Sequence, residues 1–274
     1  MDTYRFRPGD TPVLLSIPHG GTRIPPEIAA RMTEAAKSVP DTDWHLDQLY
    51  AFAASLGVGI LAADFSRYVV DLNRSSDGTV LYRGADNTEL CPTTTFEREP
   101  IYRDGEFPDD QEVRARVQTY WRPYHERLDA ELKALKARFG VAVLFDAHSI
   151  RSHVPRFFEG KLPDFNLGTA EGASAPSHLS GRLMNVLSSA DRYSAILDGR
   201  FKGGYITRHY GRPAEKVHAV QLELAQATYM DEEPPFRYRP EAAAEVSSIL
   251  ERFVATLVDW AWNNAEGRHR PATA

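Results

Sequence analysis

Three apolar runs in the chain each end on a residue suited to metal-assisted hydrolysis: Val13 to His19, Val141 to His148, and Val217 to Glu223. Short runs rich in β-branched residues and bounded by Gly or Pro read as buried strands. Parallel sheets bury both faces, so their strands are continuously apolar. In open α/β sheets, ligands bind beyond the carboxyl ends of the strands. Two histidines and a glutamate at three such ends can therefore converge from distant parts of the sequence, which is what a metal-dependent hydrolase requires.

His19 lies in Pro18-His19-Gly20-Gly21, where glycine permits a close backbone approach to a ligand. His148 follows Asp146 by two residues, so on a strand both point to one side and the carboxylate can orient the imidazole. A hydrolytic divalent site wants about three protein ligands and an open position. Asp41, Asp43, His45 and Asp47 crowd the start of an expected helix. Acids stabilise a helix N-terminus, which accounts for one or two of them but not for His45. Asp43 is the choice for third ligand, with His45 and Asp47 in reserve.

Glu223 stands between Leu222 and Leu224. A buried carboxylate is costly unless paired. It is either half of an ion pair with an arginine or a general base whose pKa is raised by a dry site. Asn73-Arg74 closes another apolar run, and an arginine fork grips a carboxylate bidentately. Arg151, Arg156 and Arg208 fall in loops after other expected strands, and Thr207 and Tyr210 flank Arg208 as candidate pocket residues. For any one of these arginines taken alone, a solvated surface side chain is the plainer reading. Cys91, the single cysteine, sits in a Pro/Thr loop without a recognisable activating partner and reads as a structural thiol.

The elements that must hold these residues alternate. Asp41 to Leu56 has helical spacing, with Asp41 as N-cap; Val58 to Ala62 and Tyr68 to Leu72 read as strands. Val80 to Asp110 is irregular, and Asp109 to Phe139 is helical with an expected break at Pro123. Arg151 to Ser177 and Phe201 to Pro213 read as loops, Ser177 to Ser189 and Glu241 to Trp262 as helices, and Ala195 to Leu197 as a short strand. No repeat or linker composition divides the chain, so residues 1–274 are expected to form a single domain of α/β class.

Composition sets the wider bounds. Across 274 residues, 42% are hydrophobic and 26% charged, ordinary for a globular protein. A net charge of −6 without a basic block argues against nucleic acid and against an anionic membrane surface. One cysteine, an N-terminus without an apolar signal core, and no run approaching about 18 apolar residues lead to an expected cytoplasmic location. An anionic substrate would need arginines gathered locally.

The chain resembles the N-formylglutamate amidohydrolases, or deformylases. The matching stretches are Ser16 to Gly21, Asp41 to Asp47, Ser66 to Arg74, Leu90 to Thr93, Asp146 to Ser149, Asn166 to Thr169, Phe201 to Gly211 and Gln221 to Leu224, in consistent order. That family is related in fold to zinc carboxypeptidases and aspartoacylase-type deacylases. The resemblance implies a three-layer α/β/α fold with a mixed, mostly parallel central sheet. It also implies one divalent ion, zinc first with cobalt, iron, nickel or manganese as alternatives, held by His19, an acid and His148. Glu223 falls where those relatives keep their general base, and Asn73-Arg74 looks like their substrate-carboxylate pair. The peptidases carry a Glu three residues after the first His; here that position is Thr22, so the acid comes from elsewhere, which leads to Asp43.

The implied activity is hydrolysis of N-formyl-L-glutamate to formate and L-glutamate in histidine degradation. Arg74 would hold one carboxylate of this small dianionic substrate, and Arg208 or Arg151 the other. The alternatives are a deacylase for another N-acyl acidic amino acid, of the aspartoacylase or succinylglutamate desuccinylase kind, and a non-catalytic protein that captures such a compound.

Overall fold

The computed structural model describes residues 2–79 and 86–266. Seven strands and seven α-helices follow one another as β1 (Tyr4–Arg7), β2 (Val13–Ile17), α1 (Pro26–Ala29), α2 (Leu46–Leu49), β3 (Gly59–Ala63), α3 (Asp110–Arg116), α4 (Arg122–Phe139), β4 (Ala142–Ile150), β5 (Phe165–Gly168), α5 (Ser177–Ser188), β6 (Ala195–Leu197), α6 (Tyr205–Tyr210), β7 (Val217–Ala225) and α7 (Pro240–Asn263). They form one sheet in the order β1-β3-β2-β4-β7-β5-β6. The four strands β3, β2, β4 and β7 are parallel. β1 runs antiparallel to β3 at one edge, and the parallel pair β5 and β6 runs antiparallel to β7 at the other. This is the mixed, mostly parallel sheet expected. β2, β4 and β7 are buried at every position, the burden that covering both faces places on central strands.

Alternation along these strands divides the core in two. Val13, Leu15, Phe145, Val220 and Leu222 face α5 and α7, with the stripe Val246, Ile249, Leu250, Phe253, Leu257 and Val258 packed against them. Leu14, Leu144 and Ala219 face the other way, onto Tyr124, Leu128, Leu132 and Leu135 of α4 and Ile206 of α6. Helices therefore cover both faces and make three layers. The packing is tight: Phe253 is fully buried with its ring 5.2 Å from that of Phe145, and its truncation to Ala costs about 3–5 kcal/mol. Among the described residues no helix is long and apolar enough to cross a membrane.

Several local expectations are corrected. Asp41 to His45 forms turns rather than the start of a helix, and only Leu46–Leu49 is α-helical before a 3-10 turn at Ala51–Ala54. His45 takes a left-handed conformation (φ 62°), which ends any regular helix there. Tyr68 to Leu72 is not a strand, although Val69 and Tyr68 are buried. Its apolarity serves packing, not sheet pairing. Pro123 does not split its helix, because a π turn at Val117–Trp121 precedes it and Arg122 N–H already reaches back to Val117 O. The missing donor of proline thus falls where the α pattern is already widened. The loop expected across 151–177 contains β5, the glycine-rich 201–213 contains α6, and β1 carries no sequence signal that was read. Of the irregular stretch Val80 to Asp110, residues 80–85 lie outside the described residues.

Candidate metal centre

The site forms at the carboxyl ends of β2, β4 and β7. Parity places Ser16, Asp146, His148, Gln221 and Glu223 on the α4/α6 side of the sheet, continuing the rows that hold Leu14, Leu144 and Ala219. Register sets Asp146 opposite Gln221 and His148 opposite Glu223. His19 stands two residues past β2. There Gly21 permits a backbone crossing that a Cβ would block, since that atom would lie 2.4 Å from Phe65 O. Asp43 reaches the same point from the turn before α2, its N–H donating to His19 O over 3.1 Å.

His19, Asp43 and His148 are buried, and one donor atom from each lies within 4.8 Å of the others. His19 Nε2 is 2.7 Å from Asp71 Oδ1, and His148 Nε2 is 3.1 Å from Asp146 Oδ2. Each imidazole thus sets Nε2 beside a carboxylate and turns Nδ1 toward Asp43. The two Nδ1 atoms stand 3.8 and 3.1 Å from Asp43 Oδ2. In a tetrahedral site with ligand bonds of about 2.0 Å, donor atoms lie about 3.3 Å apart, and the two separations from Asp43 Oδ2 fall on either side of that spacing. A carboxylate behind each histidine is the usual arrangement for orienting metal ligands. Charge agrees with geometry. Asp43, Asp71 and Asp146 are buried with one buried guanidinium, Arg67, among them, a deficit that a divalent cation makes good.

Electrostatics follow from this crowding. Burial lowers the pKa of His19, and nearby Arg67 lowers it further. Burial raises the Asp43 carboxyl, but His148, His19 and Arg67 outweigh it and hold it below the usual range. Asp71 is likewise raised by burial yet held well below normal by His19 and Arg67. His148 is lowered by burial and raised more by Asp146 and Asp43, ending well above an ordinary histidine. Glu223 goes the other way: burial pushes it up to about 8, and Asp43 adds to the rise. Among the described residues it forms no ion pair; His148 and Arg67 pull its pKa back down, but not enough to offset burial.

These side chains open on a small cavity of about 80 Å³ lined by His19, Asp43, His148, Glu223, Asn73 and Arg74. Asn73 packs its amide nitrogen 3.1 Å from His148 Nε2 and accepts from Ile206 N–H. Gly204 is required beside it, because a Cβ there would lie 2.2 Å from Asn73 Nδ2. Arg74 donates from Nε and Nη2 to Thr88 and from Nη1 to Asn73 O, which sets the plane of its fork. Arg67, Arg200 and Gln221 also line the cavity, with Phe96, Ile150, Phe157 and Phe201 as its apolar wall.

The other sequence candidates are placed elsewhere. His45 Nε2–H donates to Phe236 O over 2.7 Å, and Asp47 pairs with Arg5 on the surface. Thr207 bonds Asp146 from behind, 3.3 Å away, and does not line the cavity. Arg151 pairs with Glu97 at 2.9 Å, Arg208 donates to Gly203 O, and the Tyr210 hydroxyl meets His125 at 3.0 Å; none of the three lines the cavity. Arg156 pairs with Asp86. Burial raises the thiol of Cys91 to about 11, as suits an inert cysteine.

Sequence reasoning missed Asp71, Arg67, Gln221 and Arg200. The argument applied to Glu223, a carboxylate inside an apolar run, holds equally for Asp71 in Val70-Asp71-Leu72 and would have found it. Arg67 and Arg200 carry no comparable signal; only the fold brings them to the cavity.

A family model described as N-formylglutamate amidohydrolase matches residues 11–230. The chain is 52% identical over 259 residues to an N-formylglutamate deformylase of Pseudomonas aeruginosa, covering 94% of this chain and 97% of that protein. It is 51% identical over 255 residues to one of Pseudomonas putida, covering 93% and 95%. The fold is similar to the crystal structure of an N-formylglutamate amidohydrolase from Ralstonia eutropha JMP134, with a TM-score of 0.83, 24% identity, and 96% and 99% of the two chains covered. The matched stretch holds the whole buried cluster and the strands beneath it, and the chain belongs to the N-formylglutamate amidohydrolase family.

Proposed function

We propose that this protein hydrolyses N-formyl-L-glutamate to formate and L-glutamate, with His19, Asp43 and His148 as ligands of one divalent ion, zinc first, and Glu223 as general base. The observation that carries this reading is Glu223 beside the cluster: an unpaired, buried carboxyl, register partner of a histidine ligand, in a cavity that Arg74 also lines. The names of the Pseudomonas relatives support the substrate.

A divalent ion bound by the three side chains would supply Lewis acidity toward the formyl oxygen and lower the pKa of a water molecule. Glu223 accepts the proton of the attacking water on a carboxylate oxygen and returns it to the departing amine nitrogen. Its pKa of about 8 lies near neutral pH, where one carboxyl serves both transfers. Arg74 holds one substrate carboxylate, and Arg200, on the same cavity, takes the second in place of Arg151 or Arg208. The partner is thus a small dianion, not nucleic acid or a membrane, and the protein works in the cytoplasm at the glutamate-forming end of histidine breakdown.

Formate release from N-formyl-L-glutamate, measured before and after chelation with single metals added back, tests this reading. Activity lost to chelator and restored by zinc, cobalt, iron, nickel or manganese supports it and ranks the metals. Faster turnover of acetyl- or succinyl-glutamate would shift the substrate. Chelator-resistant release would overturn the metal argument.

A further inference from the structure

Asp71 to Arg74 supplies three site residues yet belongs to no helix or strand, so its backbone needs partners from elsewhere. Side chains of the helical rod 110–139 provide them. Arg116 donates to Val69 O over 3.1 Å, His125 Nε2 to Leu72 O over 2.9 Å, and Trp121 Nε1 to Arg74 O over 2.9 Å. The last two carbonyls flank Asn73. The Trp121 and His125 rings stack with centroids 3.7 Å apart; the Leu72 carbonyl can only accept, which makes Nε2 the donor, and Nδ1 faces the Tyr210 hydroxyl 3.0 Å away. The π turn makes this grip possible. Nine residues of unbroken α-helix would set Arg116 and His125 about 180° apart, and a widened turn that absorbs one residue brings them within about 80°.

We propose that Trp121 and His125 are positioning residues for substrate binding, holding the Leu72 and Arg74 carbonyls so that Asn73 and the Arg74 fork face the cavity. This rests on the carboxylate role given to Arg74 above. Neither residue lines the cavity itself, so their removal should act on KM through Arg74 rather than on the chemical step.

Steady-state kinetics of the metal-loaded enzyme on N-formyl-L-glutamate test the proposal, with melting temperature and metal content measured on each variant. Trp121→Phe keeps the ring and removes the donor. It should raise KM about fivefold, the worth of one neutral hydrogen bond, with kcat within about twofold. His125→Phe should do the same, and His125→Gln, whose amide nitrogen can replace Nε2, should restore KM. Adding Trp121→Phe to Arg74→Ala should change KM no further. Wild-type KM in Trp121→Phe, while Arg74→Ala raises KM, would overturn the positioning role alone. So would a KM rise matched by losses of metal and melting temperature. Unchanged KM in Arg74→Ala would instead refute the carboxylate role of Arg74, and the positioning role with it.

Discussion

His148 and Glu223 are register partners on the adjacent parallel strands β4 and β7. Partners in a parallel pair present their side chains to the same face, so the proposed ligand histidine and the proposed base are set side by side by backbone hydrogen bonds rather than by flexible loops. Asp146 and Gln221, partners two residues earlier, support them from below. Asp146 holds His148, and Gln221 accepts from Gly204 N–H.

Glu223→Gln keeps the shape of the side chain and removes its capacity to take a proton. Turnover should fall roughly 100- to 10,000-fold, with metal content unchanged. Near-normal turnover with full metal loading would refute the base assignment.

Asp71 does not line the cavity but holds residues that do, His19 through Nε2, Arg67 through Nη2 and Asn73 through its N–H. Asp71→Asn should therefore weaken metal binding by about 10- to 100-fold, read by competition with a chromophoric chelator, because the imidazole loses the carboxylate beside its Nε2. It also leaves Arg67 without its 2.9 Å partner, so some loss of stability should accompany it. Unaltered metal affinity would show that His19 is oriented without Asp71.

Gly204→Ala adds one methyl where Asn73 Nδ2 would lie 2.2 Å from it. Asn73 must move, and with it the hydrogen bond it accepts from Ile206 N–H at the start of α6. The expected result is a rise in KM of about tenfold or more with the fold retained, since one disturbed polar contact of this kind costs about 1–3 kcal/mol. A variant with wild-type KM would mean that the strap yields without consequence.

Stability should fall in mild acid through two buried histidines. Burial lowers His125 to about 3 and His218 to about 4. The unfolded chain protonates these rings near 6.5, so between that pH and 3 or 4 it holds more protons than the folded protein. Stability is therefore complete above about pH 7 and declines as pH falls, by up to about 1.4 kcal/mol per pH unit for each ring. His218 packs edge-on to Trp260, 4.8 Å between centroids, so His218→Phe fits this apolar contact and should flatten the slope. Urea unfolding from pH 4 to 8 measures it; identical slopes in the two proteins would exclude His218 as a source.

The sequence by itself determined the three central strands β2, β4 and β7 and the chemistry near their ends. β-branched apolar runs have little choice but to be central strands, and His19, His148 and Glu223 end them wherever the rest of the chain goes. The α7 stripe was equally legible, because a 3.6-residue period repeated over 24 residues leaves one reading. Where one physical pattern has two uses, the tertiary structure decided. Tyr68 to Leu72 has the apolarity of a strand, but its carbonyls accept from the side chains of Tyr102, Arg116 and His125 instead of from a neighbouring strand. Asp41, Asp43 and Asp47 are alike as acids, yet Asp41 is spent on the Tyr68 hydroxyl and Phe96 N–H, Asp47 lies on the surface, and Asp43 meets the histidines. For the arginines, chain position says nothing of distance: Arg200 lines the cavity while Arg151 and Arg208 do not. Such contacts join residues far apart in sequence, and only the assembled sheet, with helices packed on both faces, defines which of them meet.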